Sequence, residues 1–340
     1  MNKTEGTGVQ TINVQEADDG LRIEKWFLKF FPGLPKGMVF KLMRKGQIRL
    51  DGKRVKPGDK VSTAQEVRVP PMPADAYSAP SDKGGSYSPV QKEKDLKLIK
   101  SITIFEDKDV LVLNKPYGIA TQGGSKVKHH IDGALRAIAS DRCTPHLVHR
   151  LDKETTGVLV VAKNRKTAQK LGSLFKGRDV QKYYWAVISP APEIEEGEIE
   201  AKIAKGKTFK GERMIVDEED GKFSRTEFWV LDKAYTKAAW VCFKPETGRT
   251  HQLRVHSQLM GSPIIGDEKY SDTDRHMEMP VILDDLKNAD KLHLHARRLV
   301  MPHPAGHGKL DVTAPLPKHM SDTFKYFGFD ESREKDIDLI

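Results

Sequence analysis

The sequence predicts an α+β protein in two domains: a small basic module, then a linker, then a larger domain built on a mixed sheet. Three observations predict it. A chain of 340 residues exceeds the usual size of one domain. Its charge is segregated: residues 20–70 hold thirteen Lys and Arg against four Asp and Glu, which accounts for the whole formal net charge of +9. From about residue 100 onward, apolar runs of strand length alternate with helical stretches.

Composition narrows the function classes. With 38% hydrophobic and 31% charged residues the chain has enough apolar material for real cores. No apolar run approaches the ~20 residues of a membrane span, and the polar start MNKTEGTGVQ lacks the apolar core of a signal peptide. Cys143 and Cys242 are too few for a disulfide framework and fit a reducing cytoplasm, the expected location. Positive charge concentrated in one segment favours a polyanion through phosphate contacts and counterion release; a merely soluble basic surface is the bland alternative.

Along the chain, residues 1–18 are polar and without period, and are expected to be disordered. The basic module is expected over 19–71. Ile23, Trp26, Phe27 and Phe30 recur at helical spacing and read as core, with Arg22, Lys25 and Lys29 on the other faces. Val39, Leu42 and Met43 repeat the pattern in a second helix, with Pro35 near its start and Gly46 near its end. Asp51-Gly52 marks a turn between short strands, and VSTAQEVRV follows as a further strand. Residues 72–98, rich in Pro, Ser, Gly, Ala and charge, read as a flexible linker. The larger domain is expected over 99–331, with VLVLN (110–114), GVLVVAK (157–163) and YYWAVI (183–188) as strands, residues 165–176 as a helix, and 332–340 as a tail. The acidic residues Asp284, Asp285 and Asp290 read as a solvated insertion.

The chemistry-bearing segments are two. No phosphate-binding loop of the form GxxxxGK[ST] and no GxGxxG after a strand is present. His251 with His256, and His293 with His295, lack the HExxH form and a nearby Cys pair, so no metal site is expected; the alternation in KLHLHA fits one face of a strand. The first dense polar segment is HLVHRLDKETTG (146–157), which runs into a buried strand and would hold Asp152 at a sheet edge on rigid supports. The second is KPETGRTHQLRVH (244–256), where Gly248 permits a tight turn before Arg249. On spacing alone, Asp152 is either a catalytic acid or a loop salt-bridge partner, and Arg249 its surface mate.

Taken together, these segments resemble the RluA-type pseudouridine synthases. HRLDKETTG resembles their HRLDxxTSG signature, DVLVLNKPYGIATQGGS (109–125) their opening strand and loop, and QKYYWAV (181–187) their KxYxAxV strand. TGRTHQLRVH, GSPIIGDEKY (261–270) and LHLHARRL (292–299) follow as the closing blocks in order. The basic module resembles an S4 RNA-binding domain. Thr156 stands where the signature has Ser, which keeps the hydroxyl, and Arg22-Ile23-Glu24 replaces a commoner Arg-Leu-Asp. The resemblance implies isomerisation of uridines to pseudouridine in large-subunit ribosomal RNA or a pre-ribosomal particle, a reaction that needs no cofactor; oligomeric state is not readable from the sequence, and a monomer is the expectation. It implies that Asp152 is the carboxylate acting at C1′ or C2′ of the ribose and that Arg249 is its ionic partner. Tyr184, two positions after Lys182, would stack on the uracil, while Tyr183 faces the opposite side as packing. Arg150 would help expel the base, and Lys41, Arg44, Lys45, Arg49, Lys53 and Arg54 would contact phosphates. Three other readings stand beside it: a non-catalytic RNA-binding assembly factor, a metal-dependent nuclease or glycoside hydrolase, and a synthase of the same family acting on other ribosomal RNA or tRNA uridines.

Overall fold

The computed structural model describes residues 8–77, 87–123, 129–140, 143–208, 211–271, 286–306 and 308–333. The chain divides into two units, Met1–Ser88 and Pro89–Ile340. Asp284, Asp285 and most of the expected tail lie outside the described residues.

In the first unit, β1 (Gln10–Asn13), α1 (Ile23–Phe30), α2 (Lys36–Arg44), β2 (Arg49–Leu50), β3 (Lys53–Arg54) and β4 (Glu66–Val69) form two helices against a four-stranded sheet ordered β1-β4-β2-β3. Ile23, Trp26 and Phe27 are buried with Val39, Met43 and Val67, so the aromatic stripe is core as its spacing demands. Each such side chain contributes about 1.5–3 kcal/mol by leaving water. Gly46, at φ +66°, ends α2. Its N–H donates to Met43 O and that of Gln47 to Leu42 O, the paired bonds of a left-handed helix stop. Asp51 and Gly52 both have positive φ, the geometry that a tight turn between twisted strands needs.

Two boundaries differ from expectation. The segment expected to be disordered contains β1, which pairs antiparallel with β4 in the register Gln10↔Val69 and Ile12↔Val67. A strand whose partner lies more than fifty residues downstream has no local signature. The expected linker contains α3 (Pro89–Ile102). Its charged residues hide a narrow apolar stripe, Leu98, Ile99 and Ile102, that packs against Leu111, Leu113 and Leu135. At the linker's other end, Met72 and Ala76 are buried in the first core.

The second unit continues with β5 (Thr103–Glu106), β6 (Val110–Lys115), α4 (Ile131–Ala134), β7 (His146–Leu147), β8 (Thr156–Ala162), α5 (Arg165–Leu174), β9 (Gln181–Ile188), β10 (Glu196–Thr208), β11 (Gly211–Val216), β12 (Lys222–Ala234), β13 (Ala238–Pro245), α6 (Gln252–Leu259), β14 (Leu294–Pro302), β15 (Lys309–Thr313) and α7 (Lys318–Phe327). The strands build one mixed sheet ordered β11-β10-β12-β13-β9-β14-β8-β6-β5, with β15 on β14 and β7 on β8. The β14–β8 pair is parallel.

Alternation along β9 separates the two faces of this sheet. Tyr183, Trp185 and Val187 pack with Trp240 and Phe324 of α7, while Tyr184, Ala186 and Ile188 face the other side. Tyr183 is thus packing, as expected. One row of residues crosses four strands: Gly157 of β8 pairs Ala296 of β14, which pairs Tyr184 of β9, which pairs Phe243 of β13. The loop before β8 and the turn after β13 carry the two polar segments toward this row.

Candidate active site

Asp152 sits on the loop that leads into β8, and its side chain keeps 22% of its surface exposed. The residues on either side of it are fixed. Leu151 N–H donates to Thr121 Oγ1 at 3.1 Å, and Thr121 Oγ1 donates back to Leu151 O at 2.6 Å. Lys153 O accepts from Gly118 N at 3.0 Å and from Lys115 Nζ at 3.1 Å. Lys115 is fully buried, and its ammonium also donates to Pro116 O and Ile119 O, so it fastens the loop after β6 to the Asp152 loop. Burial pulls its pKa down to about 7, against the opposing pull of Glu154 and Asp152. Further back, His149 Nε2 accepts from Val160 N at 2.8 Å while its ring stacks on Phe175 at 4.4 Å. Burial pushes His149 down to about 3, so it is a neutral structural acceptor.

Thr156, which begins β8, uses its hydroxyl: Oγ1 lies 2.8 Å from His295 Nδ1. The hydroxyl that the signature's Ser would carry is therefore engaged with β14. Gly157, at φ +106°, leaves Ala296 backbone room that a Cβ would fill at 2.2 Å.

Tyr184 is half-buried on the sheet face that carries this loop. Burial raises its phenol pKa and the Asp152 charge raises it further, so the structure brings Tyr184 into the electrostatic reach of Asp152. The hydroxyl stays protonated throughout the neutral range.

The third segment is a turn tied down by one amide. Buried Gln252 accepts at Oε1 from Thr247 Oγ1 (2.7 Å) and Arg249 N (3.0 Å), and donates from Nε2 to Arg225 O and Thr226 Oγ1 at 3.0 Å each. All four of its bonding positions in this turn are used. His251 opens α6 in the left-handed conformation, φ 53° and ψ 21°. Its Nδ1 lies 2.8 Å from Tyr270 Oη, and its Nε2 lies 3.8 Å from Asp152 Oδ2.

Arg249 is not where the expectation put it. Its exposed guanidinium donates from Nε to Phe223 O at 3.0 Å, and no ion pair joins it to Asp152. The backbone bond to Gln252 and the Phe223 carbonyl hold the side chain along β12, at the wall of a cleft of about 610 Å³ shared with Lys205, Arg213, Lys222 and His251. Lys115 and Arg254 feel the Asp152 charge. Arg254 is buried and bidentate to Asp267, both bonds at 2.6 Å.

The remaining expected residues are on the surface. Arg150 is exposed, two positions before Asp152. Lys41, Arg44, Lys45, Arg49, Lys53 and Arg54 are all exposed on the first unit, with Arg49 donating to Gly46 O and Gly52 O. Of the histidine pairs, His256 bonds Ser224, His293 bonds Thr323, and His295 bonds Thr156 and Ala314 O. Burial pulls His256 and His293 down to about 4 and His295 to about 3. Sequence reading missed Lys115, Thr121, His251 and Gln252 as supports of the site. The signal for Lys115 was a lysine closing an apolar strand, VLVLNK; the others show no cue outside the fold.

Residues 109–259 match the family described as RNA pseudouridylate synthase. The ribosomal large subunit pseudouridine synthase C of Salmonella typhi is 33% identical over 94% of this chain and 96% of its own length. That of Vibrio cholerae is 34% identical over 92% of this chain and 95% of its own. Among solved structures, human RNA pseudouridylate synthase domain containing 4 is 30% identical, covers 69% of this chain and 97% of that one, and superposes with a TM-score of 0.58. Sequence and fold together establish that the chain belongs to the RNA pseudouridylate synthase family.

Proposed function

We propose that this protein converts uridines of large-subunit ribosomal RNA to pseudouridine, with Asp152 acting on the ribose of a nucleotide flipped out of its stack. The relatives named for that activity on the large ribosomal subunit match nearly the whole chain, at 33–34% identity. The observation that carries the reading is Asp152 itself: a carboxylate left 22% exposed while its loop is fixed on both sides. A fixed loop that leaves its carboxylate accessible suits an acid that must meet a ribose.

The reaction breaks the bond from C1′ to uracil N1, turns the base, and joins C1′ to C5. C5 loses a proton and N1 gains one, so nothing is oxidised or reduced. The Asp152 carboxylate either adds to C1′ or takes the C2′ proton to leave a glycal; both routes need an anionic oxygen beside the sugar. Tyr184 supplies a flat platform for the detached base, and its protonated hydroxyl supplies a hydrogen-bond donor. As a base for the C5 proton it would first have to lose its own, which its raised pKa opposes. Arg249, with Lys205, Arg213 and Lys222, gives the cleft positive charge suited to phosphates flanking the target. Arg150 stands exposed beside Asp152, where it would enter the stack the nucleotide leaves.

The first unit, resembling an S4 domain, would add phosphate affinity through Lys41, Arg44, Lys45, Arg49, Lys53 and Arg54. The substrate places the enzyme in the cytoplasm, on ribosomal RNA or a pre-ribosomal particle. No helix of the described residues is long and apolar enough to cross a membrane.

The test is pseudouridine mapping of ribosomal RNA from cells with the gene, without it, and with Asp152→Asn in its place. The same uridines should revert in both altered strains. In purified form, Asp152→Asn should keep its fold and RNA affinity while turnover falls on the order of a thousandfold or more. An unchanged map in the deletion strain would sink the reading. A map lost on deletion but kept by Asp152→Asn would favour a non-catalytic assembly role.

A further inference from the structure

Within 4 Å, the basic side chain that faces Asp152 among the described residues is a histidine, not an arginine: His251 Nε2, at 3.8 Å from Oδ2. His251 is an unusual residue to find there, because its backbone is left-handed at φ 53°. That region costs an L-residue other than glycine roughly 1 kcal/mol or more, and such strain persists where the surroundings require the side chain's direction.

The surroundings also fix which ring nitrogen carries the proton. His251 Nδ1 is 2.8 Å from Tyr270 Oη, and the same phenol oxygen accepts the Met214 N–H at 3.0 Å. With that N–H on its lone pair, the Tyr270 hydroxyl proton has one acceptor among the described residues, His251 Nδ1. Nδ1 is then the bare nitrogen, and Nε2 carries the hydrogen that faces Asp152.

Tyr270 is itself immobile. Its ring is fully buried, with the Arg254 guanidinium 5.1 Å from its centroid on one contact and that of Arg213 at 5.8 Å on another. Arg254 is clamped by Asp267, whose Oδ1 also accepts the N–H groups of Lys269 and Tyr270. The charged groups facing His251 are Asp152, Arg254, Lys269 and Asp267. Burial lowers its pKa, Arg254 and Lys269 lower it, and Asp152 and Asp267 oppose them. The imidazole is therefore neutral at neutral pH and has one proton to give, at Nε2.

We propose that His251 is a positioning residue for Asp152: a neutral imidazole, set in its Nε2–H form by Tyr270, that donates to one carboxylate oxygen and so aims the other at the ribose. The proposal rests on the reading of Asp152 given above. An approach of about 1 Å by either side chain makes the 3.8 Å contact a full hydrogen bond, and the arriving nucleotide, by excluding water, favours it. No proton is transferred and no bond is formed; the imidazole acts only through the orientation of the carboxylate.

The experiment compares the full-length wild type, His251→Ala, His251→Gln and Tyr270→Phe in single-turnover pseudouridine formation on ribosomal RNA. It adds nitrogen-15 spectra of the histidine rings. Loss of aim by about 1 Å costs on the order of 100-fold in rate, so His251→Ala should lose about that much at unchanged RNA affinity. His251→Gln, whose amide presents an N–H at similar reach, should recover to within about tenfold. In the wild type, His251 should show a bare Nδ1 and a protonated Nε2; Tyr270→Phe should shift weight to the other tautomer. A purely structural role predicts the opposite pattern, with affinity falling alongside rate and no rescue by Gln. His251→Ala within threefold of the wild-type rate, or a proton on Nδ1 in the wild type, overturns the inference while leaving the function standing. A wild type that forms no pseudouridine overturns the functional reading, and this inference with it.

Discussion

Lys115 shows how much of this site rests on groups that never touch a substrate. Its ammonium is fully buried beneath the Asp152 loop and meets three carbonyl oxygens, those of Pro116, Ile119 and Lys153. Burying a charge is unfavourable, and the lowering of its pKa from 10.5 to about 7 expresses that cost. The consequence for stability has a definite sign. Below pH 7 the lysine is charged in both folded and unfolded chains. Between about 7 and 10 the unfolded chain holds a proton that the folded one has released, so stability rises with pH, by up to ~1.4 kcal/mol per unit. Above that window the tyrosines reverse the trend, because Tyr184 ionises later in the fold than in the open chain. Lys115→Met should therefore be less stable at pH 7, by about 1–3 kcal/mol for the carbonyls it strands. Its deficit relative to wild type should widen between pH 7 and 9.5. Urea unfolding at both pH values measures this; a deficit that stays constant would mean the lysine is not buried as a charge.

At the scale of elements, the site depends on four strands meeting in one row, and Gly157 is where they meet most tightly. A Cβ there would lie 2.2 Å from Ala296 O and 2.7 Å from its carbonyl carbon, atoms of a strand paired on both sides. Gly46 makes a useful contrast: its φ is also positive, but the nearest atoms an added Cβ meets belong to the exposed Arg54 side chain, Nε at 2.9 Å, which can swing away. Gly157→Ala should cost ~4 kcal/mol or more, or abolish the cooperative transition of the second unit, whereas Gly46→Ala should cost about 1 kcal/mol in the first. Comparable losses in chemical denaturation would show that β14 yields at Ala296. The contrast also marks what a sequence can disclose about elements. Helices α1 and α2, the Asp51-Gly52 turn and the strands β6, β8 and β9 were legible because their signals are local: an apolar period, a cap, a turn pair. Strand β1 was not, since its identity lies in pairing with β4. Helix α3 was not, since three apolar residues among many charges set its packed face. In the site, Asp152 and Tyr184 were singled out because each sits in a motif that resembles the family's. The partner of Asp152 was not. Whether Arg249 or His251 turns toward it depends on a carbonyl of β12 and a tyrosine nineteen residues on, which no spacing within the motif encodes.

For the molecule as a whole, the uneven distribution of charge becomes a prediction about affinity. The entire net charge of +9 lies within residues 20–70, in the first unit, while the catalytic unit's cations near the site are largely engaged: Lys115 on carbonyls, Arg254 on Asp267, Arg249 on Phe223 O. Lys41, Arg44 and Lys45 are exposed on and just past the last turn of α2. If they contact phosphates, each contact releases about 0.7–0.9 of a counterion, and binding weakens with salt in proportion. Replacing all three by Ala should reduce the steepness of log affinity against log salt by about 2 to 3, with little change in stability because the side chains are on the surface. The rate of the bound complex should not move, since the chemistry proposed for Asp152 and its supports lies in the other unit. The pairing of those two results is the informative one. A flatter salt dependence with unchanged single-turnover rate separates a unit that gathers RNA from a unit that transforms it. An unchanged salt dependence would mean that the basic surface meets no phosphate, and that the affinity resides in the other unit, where Lys205, Arg213, Lys222 and Arg249 wall a cleft.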